Sequence, residues 1–490
     1  MNMEGQRLLE AIRVDRIDGP VPEYIKAVEV DSRKVKEGSL FVCIDGYTVD
    51  GHTFAQKAAD QGAVAILAEK PIDVTGATVI YVQSTERELQ RLAPTFFEQP
   101  SRRMTMIGVT GTNGKTTVSH IITTLLATLG ERTASMGTIG FTVENELYET
   151  DNTTPNVLET QKLIRQAADA SVDTMTMEVS SHGLVEGRLA GTEFDIAIFT
   201  NLSWDHLDFH KTMEHYGYAK GLLFAQLGQR VDERKFAILN ADDEWSERYA
   251  WMTPHRVVTY SLQAPSHFKG TMLDMDASHT TFRMETPVGS YTVRTELVGD
   301  FNVLNLLAAV AALYAKGYEL ERIIPALETL KPAKGRMERV ETDMPVTMYI
   351  DYAHTPDAIE KAIAAIEPYK DEKQRLLFLV GTGGNRDREK RPVMAEKASA
   401  ADYVVLTTDD PRYESYDTIL EELGRGMTHD RFALIGDREE AVRHIVQQAN
   451  EGDIIIFAGK GHEDYQIIEN TKYPHSDAAI AIDEAEKKWK

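Results

Sequence analysis

The 490-residue chain has a single cysteine, Cys43. One thiol excludes an internal disulfide framework and a cysteine-rich zinc site. No apolar run reaches the length needed to span a bilayer. The first residues, Met1-Asn-Met-Glu-Gly-Gln-Arg7, carry no apolar signal core. A cytoplasmic location is therefore expected, where a free thiol is ordinary. Positive charge is scarce: 53 Lys and Arg face 77 Asp and Glu, for a formal net charge of −24. Self-repulsion against a polyanion disfavours nonspecific binding to nucleic acid or to an anionic membrane. A phosphorylated ligand must then be held by local basic residues and backbone N–H groups. Internal repeats and low-complexity tracts are absent as well. What remains is an ordinary globular composition, 42% hydrophobic, with enough apolar residues for several cores and a length that suits roughly three domains.

The most informative stretch runs from Met104 to Thr117. A short apolar run rich in β-formers leads into the glycine loop Gly111-Thr-Asn-Gly-Lys-Thr-Thr117. The loop runs into Val118-Ser-His-Ile-Ile-Thr-Thr-Leu-Leu-Ala127, whose apolar spacing fits a helix. Strand, glycine loop and helix are the layout of a phosphate-binding loop. Gly111 and Gly114 let backbone N–H groups turn inward with no Cβ in the way. Those groups and the helix N-terminus face phosphate oxygens. Lys115 brings a compact positive charge to the β- and γ-phosphates, and the Thr116 hydroxyl can ligate Mg2+. The spacing departs from the common pattern, because Val109 stands where its first glycine would be. A chance Gly-Lys-Thr in a surface turn is the alternative, and the flanking strand and helix disfavour it. Binding of a nucleoside triphosphate is the expectation.

Taken in order, the chain reads as three α/β segments, 1–102, 103–334 and 335–490. In the first, Val28–Arg33, Ser39–Ile44 and Ala63–Ala68 read as strands, and His52–Gln61 and Thr85–Phe97 as helices. Pro100-Ser-Arg-Arg103 reads as a linker. Asp31-Ser32-Arg33 ends a strand; it could hold a ligand or simply turn the chain. In the second segment, Val172–Val179 and Phe194–Thr200 are strands that end in Glu178-Val-Ser-Ser-His182 and Asn201-Leu-Ser-Trp-Asp-His206. Such a βα alternation predicts a parallel sheet with ligands beyond the carboxyl ends of its strands, the side of the phosphate loop. Lys235–Asn240 repeats the pattern. Between Arg256 and Val298 the period falls to two, with a hairpin about Pro287-Val-Gly289; a small antiparallel sheet lying on the parallel one is expected. Asn302–Lys316 is an Ala/Leu-rich helix. Beyond the linker Lys331–Arg336, strands at Thr347–Asp351, Arg375–Val380, Ala401–Leu406 and Asp453–Phe457 predict a doubly wound, Rossmann-like third domain.

Several polar clusters sit at these strand ends, each with a plain alternative. Glu178 can bind Mg2+, which prefers carboxylate oxygen, or be an exposed strand-terminal glutamate. His206 could be a further metal ligand or a structural histidine. Lys220, in His215-Tyr-Gly-Tyr-Ala-Lys-Gly-Leu-Leu-Phe224, reads on its residues alone as a helix-surface lysine. Asp351-Tyr-Ala-His-Thr-Pro356 puts a carboxylate and an imidazole at one strand end. Gly381-Thr-Gly-Gly-Asn-Arg-Asp-Arg-Glu-Lys-Arg391 is a glycine turn followed by dense positive charge, suited to an anion. Arg391 and Arg412, the latter in Asp409-Asp-Pro-Arg412, could each take a carboxylate bidentately. These clusters and Gly459-Lys-Gly-His-Glu463 could equally be solvated loops.

Together, Thr110–Thr117, Asn152-Thr-Thr-Pro155, Glu178–His182, Asp351–Pro356, Asp409–Arg412 and Gly459–Glu463 resemble the Mur ligases, the ATP-dependent amide-bond formers of peptidoglycan synthesis. The likeness covers all three segments and includes the unusual glycine spacing. Within the family the chain looks like the members that add the third amino acid to UDP-N-acetylmuramoyl-L-alanyl-D-glutamate. The resemblance implies a small N-terminal α/β domain for the UDP-sugar, a central phosphate-loop ATPase domain and a C-terminal domain for the amino acid. It implies that Ser32 lies near the uridine nucleotide, and that Asn152, Thr153, Thr154, Ser180, Glu186 and Arg188 hold the muramoyl-dipeptide. Family members commonly carry Gln where Glu186 stands. ATP would meet Gly111, Thr112, Asn113, Gly114, Lys115, Thr116 and Thr117, with Asn302, Arg336 and Asp351 from across a domain boundary. Thr116, Glu178 and His206 match positions around Mg2+, and Lys220 matches a lysine that takes up CO2 as a carbamate. Arg391, Asp409, Asp410, Pro411, Arg412, Gly459 and Glu463 match the pocket for the incoming amino acid.

The implied reaction is phosphorylation of the D-Glu γ-carboxylate by ATP, followed by attack of the amine on the acyl phosphate. The partners are small molecules only, and the enzyme is expected to be a monomer. The incoming residue is meso-diaminopimelate or L-lysine. Members using the former commonly read Asp-Asn-Pro-Arg. Here Arg412 is kept, which suits a distal carboxylate, while Asp410 replaces the Asn and favours an ammonium. The arginine tips the expectation to meso-diaminopimelate. A folylpolyglutamate synthase-like ligase is the alternative in the same reaction class. A switch or motor ATPase is disfavoured by the lack of an Asn-Lys-x-Asp signature.

Overall fold

The computed structural model describes residues 2–46, 49–144, 146–228, 234–276 and 278–490. The chain forms two compact units, Met1–Gly108 with Glu131–Asp195, and Val109–Gly130 with Ile196–Lys490. No helix among the described residues is long and apolar enough to cross a membrane.

The first unit holds a five-stranded sheet in the order Arg16–Asp18, Thr78–Tyr81, Ala63–Ala68, Ser39–Val42, Ala27–Glu29. Four of these strands are parallel and Arg16–Asp18 is an antiparallel edge. Ala63-Val-Ala-Ile-Leu-Ala68 is apolar throughout because both its faces are covered. The edge strand and Thr78–Tyr81 are too short to stand out in the sequence. The expected strand Val28–Arg33 stops at Glu29; Asp31 instead caps a turn of 3-10 helix, Ser32–Lys34, by accepting from the Arg33 N–H. Pro100–Arg103, expected as a linker, is likewise one turn of 3-10 helix. Residues 131–195 fold with this unit because the helix Val157–Asp169 buries Val157 and Leu158 in the core around Leu40, Leu67 and Leu92. Their strands Glu146–Tyr148, Gly140–Val143, Thr133–Gly137 and Thr174–Glu178 lie side by side in that order, the last pair parallel.

In the second unit, Ile196–Phe199, Phe236–Asn240 and Arg256–Ser261 pair in parallel. Phe268–Met275, Thr280–Thr286 and Gly289–Thr295 follow, with the predicted hairpin between the last two. The antiparallel strands are not a separate layer, as expected from the sequence. They extend the same sheet edgewise, because Tyr260 and Ser261 pair in parallel with Phe268 and Lys269. The helix Asp300–Lys316 is apolar on every side and buries Val303 and all of Leu306–Leu313.

The last 150 or so residues build a six-stranded sheet in the order Glu338–Arg339, Thr347–Asp351, Ile454–Ala458, Leu376–Thr382, Tyr403–Thr408, Phe432–Leu434. All but the first strand are parallel. Helices Pro356–Ala364, Lys390–Ala398 and Tyr416–Gly424 cover one face, and Arg438–Gln448 and Asp477–Trp489 the other. Asp351, Asp409 and Gly459 thus share the carboxyl edge of a doubly wound sheet, where such folds bind ligands.

Candidate active site

The phosphate loop follows the strand Thr105–Thr110 and opens the helix Lys115–Thr128. Two glycines are obligatory there. Gly111 has φ +150° and a Cβ on it would collide with the Thr200 hydroxyl; Gly114 has φ +85° and its Cβ would lie 2.6 Å from Asn305 Oδ1. Asn201 fixes the loop: its carbonyl accepts from the Thr112 N–H at 2.8 Å, and its Oδ1 from the Asn113 N–H at 3.0 Å. Thr200 Oγ1 donates to the Asn113 carbonyl at 2.6 Å. Lys115 Nζ donates to the Gly111 and Thr112 carbonyls at 3.0 and 2.8 Å.

Residues from the third sheet reach this loop. Arg336 Nη2 donates to Thr116 Oγ1 at 2.9 Å, and its guanidinium lies 4.5 Å from the Tyr352 ring centre. Asn113 Nδ2 donates to Asp357 Oδ2 at 2.7 Å. Asp351 accepts from the Met337 and Ala353 N–H groups at 2.7 and 2.8 Å. Burial raises its carboxyl pKa, with Arg336 opposing. Asn113, Gly114, Thr117, Asn302, Arg336 and Asp351 line one cavity of about 100 Å³. Buried Arg336 Nε has no hydrogen-bond partner there.

Beside the loop stands Lys220. Its reading as a surface lysine is wrong: it is 1% exposed. Its helix, Met213–Ala225, is buried on opposite sides, with Tyr216, Gly217, Ala219, Leu223 and Phe224 inside, so no polar face marks it. Lys220 Nζ donates to the Gly111 carbonyl at 2.8 Å and sits 4.4 Å from the Tyr216 ring centre. Burial pushes its pKa well down, Lys115 adds to this, and Asp205 alone opposes. The Tyr216 ring also meets His206 edge-on at 5.9 Å. His206 takes φ +55° and pairs with Asp205 at 3.2 Å. Asp205 is buried, and Lys390 lies 3.5 Å from its Oδ1. Burial would raise the Asp205 carboxyl, but Lys390, His206 and His354 together hold it well below the usual range. Tyr216 carried no sequence signal of a role, and Lys390 was read only as part of a basic run. Thr116, His206 and Lys220 are therefore near neighbours of one loop, while Glu178 belongs to the other unit.

In the first unit Glu178 is buried, not exposed, at the end of Thr174–Glu178. It accepts from the Thr138 N–H and hydroxyl, both at 3.0 Å. Thr138 Oγ1 is 3.2 Å from Thr153 Oγ1. Thr154 Oγ1 donates to the Glu178 carbonyl at 3.0 Å and accepts from the Ser180 N–H at 3.1 Å. Ser180 in turn caps Ser181–Val185. Ser32, Asn152, Glu186 and Arg188 line one cavity of about 900 Å³, together with Arg33 and Lys57. Arg188 donates to Glu186 Oε2 at 2.7 Å and to the Thr154 carbonyl at 2.9 Å.

On the third sheet every buried charge has a counter-charge. Lys460, 1% exposed, donates to Asp410 Oδ1 at 2.8 Å and to Glu463 Oε2 at 2.7 Å. Asp410 Oδ1 also accepts from the Ile467 N–H at 2.9 Å. Asp409 is gripped by Arg438, and a Cβ on Gly459 would lie 2.7 Å from either of its carboxylate oxygens. Arg391 does take a carboxylate bidentately, but the chain's own: Glu414, at 2.8 and 2.9 Å. It also donates to Glu422 and to the Gly383 carbonyl. Fully buried, it staples the turn 383–386 to the loop after Pro411, and its Nε has no hydrogen-bond partner. Arg412 differs. At φ +51° its nearest carboxylate is Asp410, 3.8 Å away. Burial and the neighbouring charge of Arg386 lower its pKa. Exposed Arg386, part of the basic run read from the sequence, makes no hydrogen bond or ion pair among the described residues.

Three family models match the chain in order: Mur ligase family, catalytic domain, at residues 24–96; Mur ligase middle domain at 109–313; and Mur ligase, glutamate ligase domain, at 335–461. The chain is 46% identical over 462 residues to the UDP-N-acetylmuramoyl-L-alanyl-D-glutamate–2,6-diaminopimelate ligase of Geobacillus thermodenitrificans, covering 93% of this chain and 94% of that one. It is 42% identical over 489 residues to the corresponding L-lysine ligase of Staphylococcus haemolyticus, covering 99% of each. A solved 2,6-diaminopimelate ligase structure matches with TM-score 0.69 at 32% identity, over 100% of this chain and 99% of that one.

Proposed function

The chain belongs to the Mur ligase family, and from that premise we propose that it joins meso-diaminopimelate, in preference to L-lysine, to the D-Glu γ-carboxylate of UDP-N-acetylmuramoyl-L-alanyl-D-glutamate. It is an ATP-dependent ligase that forms a C–N bond between an acid and an amino acid. The domain limits we propose are 1–102, 103–334 and 335–490. The enzyme works as a cytoplasmic monomer on small molecules.

ATP is held by residues 111–117, Asn302, Arg336 and Asp351. The γ-carboxylate oxygen of the dipeptide attacks the γ-phosphorus, the bond to ADP breaks, and an acyl phosphate forms. Lys115 and the loop N–H groups offset the charge that grows on the transferred phosphoryl group. The amine of the incoming residue then attacks the acyl carbon, phosphate leaves and the amine sheds a proton. Ser32, Asn152, Thr153, Thr154, Ser180 and Arg188 hold the dipeptide substrate.

No group of three or more His, Cys, Asp or Glu side chains able to hold a metal occurs among the described residues. That fits Mg2+, which relies on phosphate oxygens and water beside one or two protein ligands. Thr116 and His206, beside the phosphate loop, would hold it. When bound it neutralises phosphate charge. Lys220 fits the carbamate reading: it has no carboxylate within hydrogen-bond reach, and burial pushes its pKa well down, which favours the neutral amine. A neutral amine is the form that adds to CO2, and the product would present two oxygens.

The preference between diamino acids rests on one observation. Lys460 and the Ile467 N–H hold Asp410 Oδ1, and Arg412, 3.8 Å from Asp410 Oδ2, stands beside the like charge of Arg386. Two such groups attract the distal carboxylate of diaminopimelate and repel the lone distal ammonium of lysine. Asp409, Asp410, Pro411, Gly459 and Glu463 complete the pocket. In a ligation assay with both amino acids, kcat/KM for meso-diaminopimelate should exceed that for L-lysine at least roughly tenfold. Equal or better use of lysine would overturn the preference.

A further inference from the structure

Behind the proposed amino-acid pocket, three side chains from three elements form a sealed line. Arg438 opens the helix Arg438–Gln448 and is fully buried. Its Nη1 donates to Asp409 Oδ1, and its Nη2 to the Ala458 carbonyl at 2.9 Å. Its Nε and Nη2 donate to the two oxygens of Asp477 at 3.0 and 2.7 Å. Asp477 opens the C-terminal helix, and its Oδ1 lies 2.7 Å from His475 Nε2. Two carboxylates thus share one guanidinium, so the trio carries one net negative charge. Asp409 is the other end of the line, wedged against Gly459 and Gly381.

We propose that Arg438 and Asp477 are positioning residues for the incoming amine. Arg438 keeps the Asp409 carboxylate ionised and aimed, and Asp477 limits how much of the Arg438 charge reaches it. This rests on the reading that Asp409 lines the amino-acid pocket. Asp409 is faced by Arg438 from its helix, by Lys460 and Glu463 from the loop after Ile454–Ala458, by Asp410 beside it and by Tyr352 after Thr347–Asp351. Burial lifts its carboxyl to about 6; Arg438 and Lys460 pull it down, Asp410 and Glu463 push it up. The balance is close enough to neutrality for either neighbour to tip it.

The test is the pH profile of kcat/KM for the diamino acid in the full-length enzyme, with KM measured for all three substrates. Arg438→Gln should move the acid limb up by about one pH unit or more and raise the diamino acid KM roughly tenfold or more. The KM values for ATP and the UDP-dipeptide should hold, and Arg438→Lys should recover part of the loss. Asp477→Asn, which keeps its shape, should move the same limb down. Opposite signs are what a general loss of stability would not produce. Limbs that move together, or not at all, would overturn the proposal, and Asp477→Asn carries the sign even if Arg438→Gln does not fold. Asp409→Asn separates the two readings: an unchanged diamino acid KM there would remove the pocket itself, whereas a raised KM beside a silent Arg438→Gln would remove only the positioning role.

Discussion

Lys220 and Lys460 are both 1% exposed, and the protein treats them in opposite ways. Lys460 is clasped by two carboxylates. Burial works against its charge, but Glu463, Asp410 and Asp409 outweigh it and its pKa stands above the ordinary value. Lys220 meets a backbone carbonyl, an aromatic face and the repulsion of Lys115. An ammonium buried so is costly, and its pKa is pushed well down. One lysine is therefore a structural cation whose charge is spent on its own loops. The other has no carboxylate hydrogen-bonded to it, and that is what the carbamate proposal rests on. Around Lys460 the charges are closed in pairs, while Lys220 has no carboxylate among its hydrogen-bond partners.

The comparison breaks most sharply at Lys220. Lys220→Ala should lower kcat about 100- to 1,000-fold, the usual effect of removing one preorganised electrostatic group. A short carboxylic acid supplied in solution, filling the space with an anion, should return part of it. Phosphate release measured with and without the acid decides the matter; a mutant with full activity would end the carbamate reading. At Lys460 the expected loss is of stability. Lys460→Met leaves Asp410 and Glu463 facing each other half-buried, and breaking such a pair costs about 3–5 kcal/mol. The urea midpoint should fall accordingly. An unchanged midpoint would mean that Asp410 is not held by Lys460, and the argument for diaminopimelate would lose its support.

This difference explains what could be read from the sequence. The phosphate loop is local: Gly111 to Thr117 carry its geometry and charge within seven consecutive positions, so its layout was legible. The parallel strands were legible too, because Leu376–Val380 and Ile454–Phe457 are continuous apolar runs. The burial of Lys220 was not legible, since a helix buried on opposite sides shows no polar stripe to place a lysine against. The partners of Arg391 were hidden for a related reason: nothing nearby in sequence says that Glu414 and Glu422, more than 20 residues on, take up its Nη1 and Nη2. Arg438 and Asp477 lie 39 residues apart and meet only because two helices cover one face of a sheet. The antiparallel strands after Phe268 were seen, but periodicity cannot tell a separate layer from an extension of the same sheet.

An intermediate case lies in the first unit, and it tests the smallest effect. Arg188 and Glu186 form a pair in which the side chains are 21% and 37% exposed, so it belongs to neither the closed nor the open kind. Water screens it, and such pairs contribute little. What it does is chemical: the glutamate draws off part of the one guanidinium that also fixes the Thr154 carbonyl, at the rim of a cavity proposed for an anionic substrate. Glu186→Gln keeps the length and the hydrogen-bond acceptor and removes the charge. Thermal stability should stay the same, and the KM for the UDP-dipeptide should fall by about 2- to 5-fold, with the KM for ATP unchanged. If the KM rises instead, the pair is holding Arg188 in place, and its charge is closed like that of Lys460 despite the exposure.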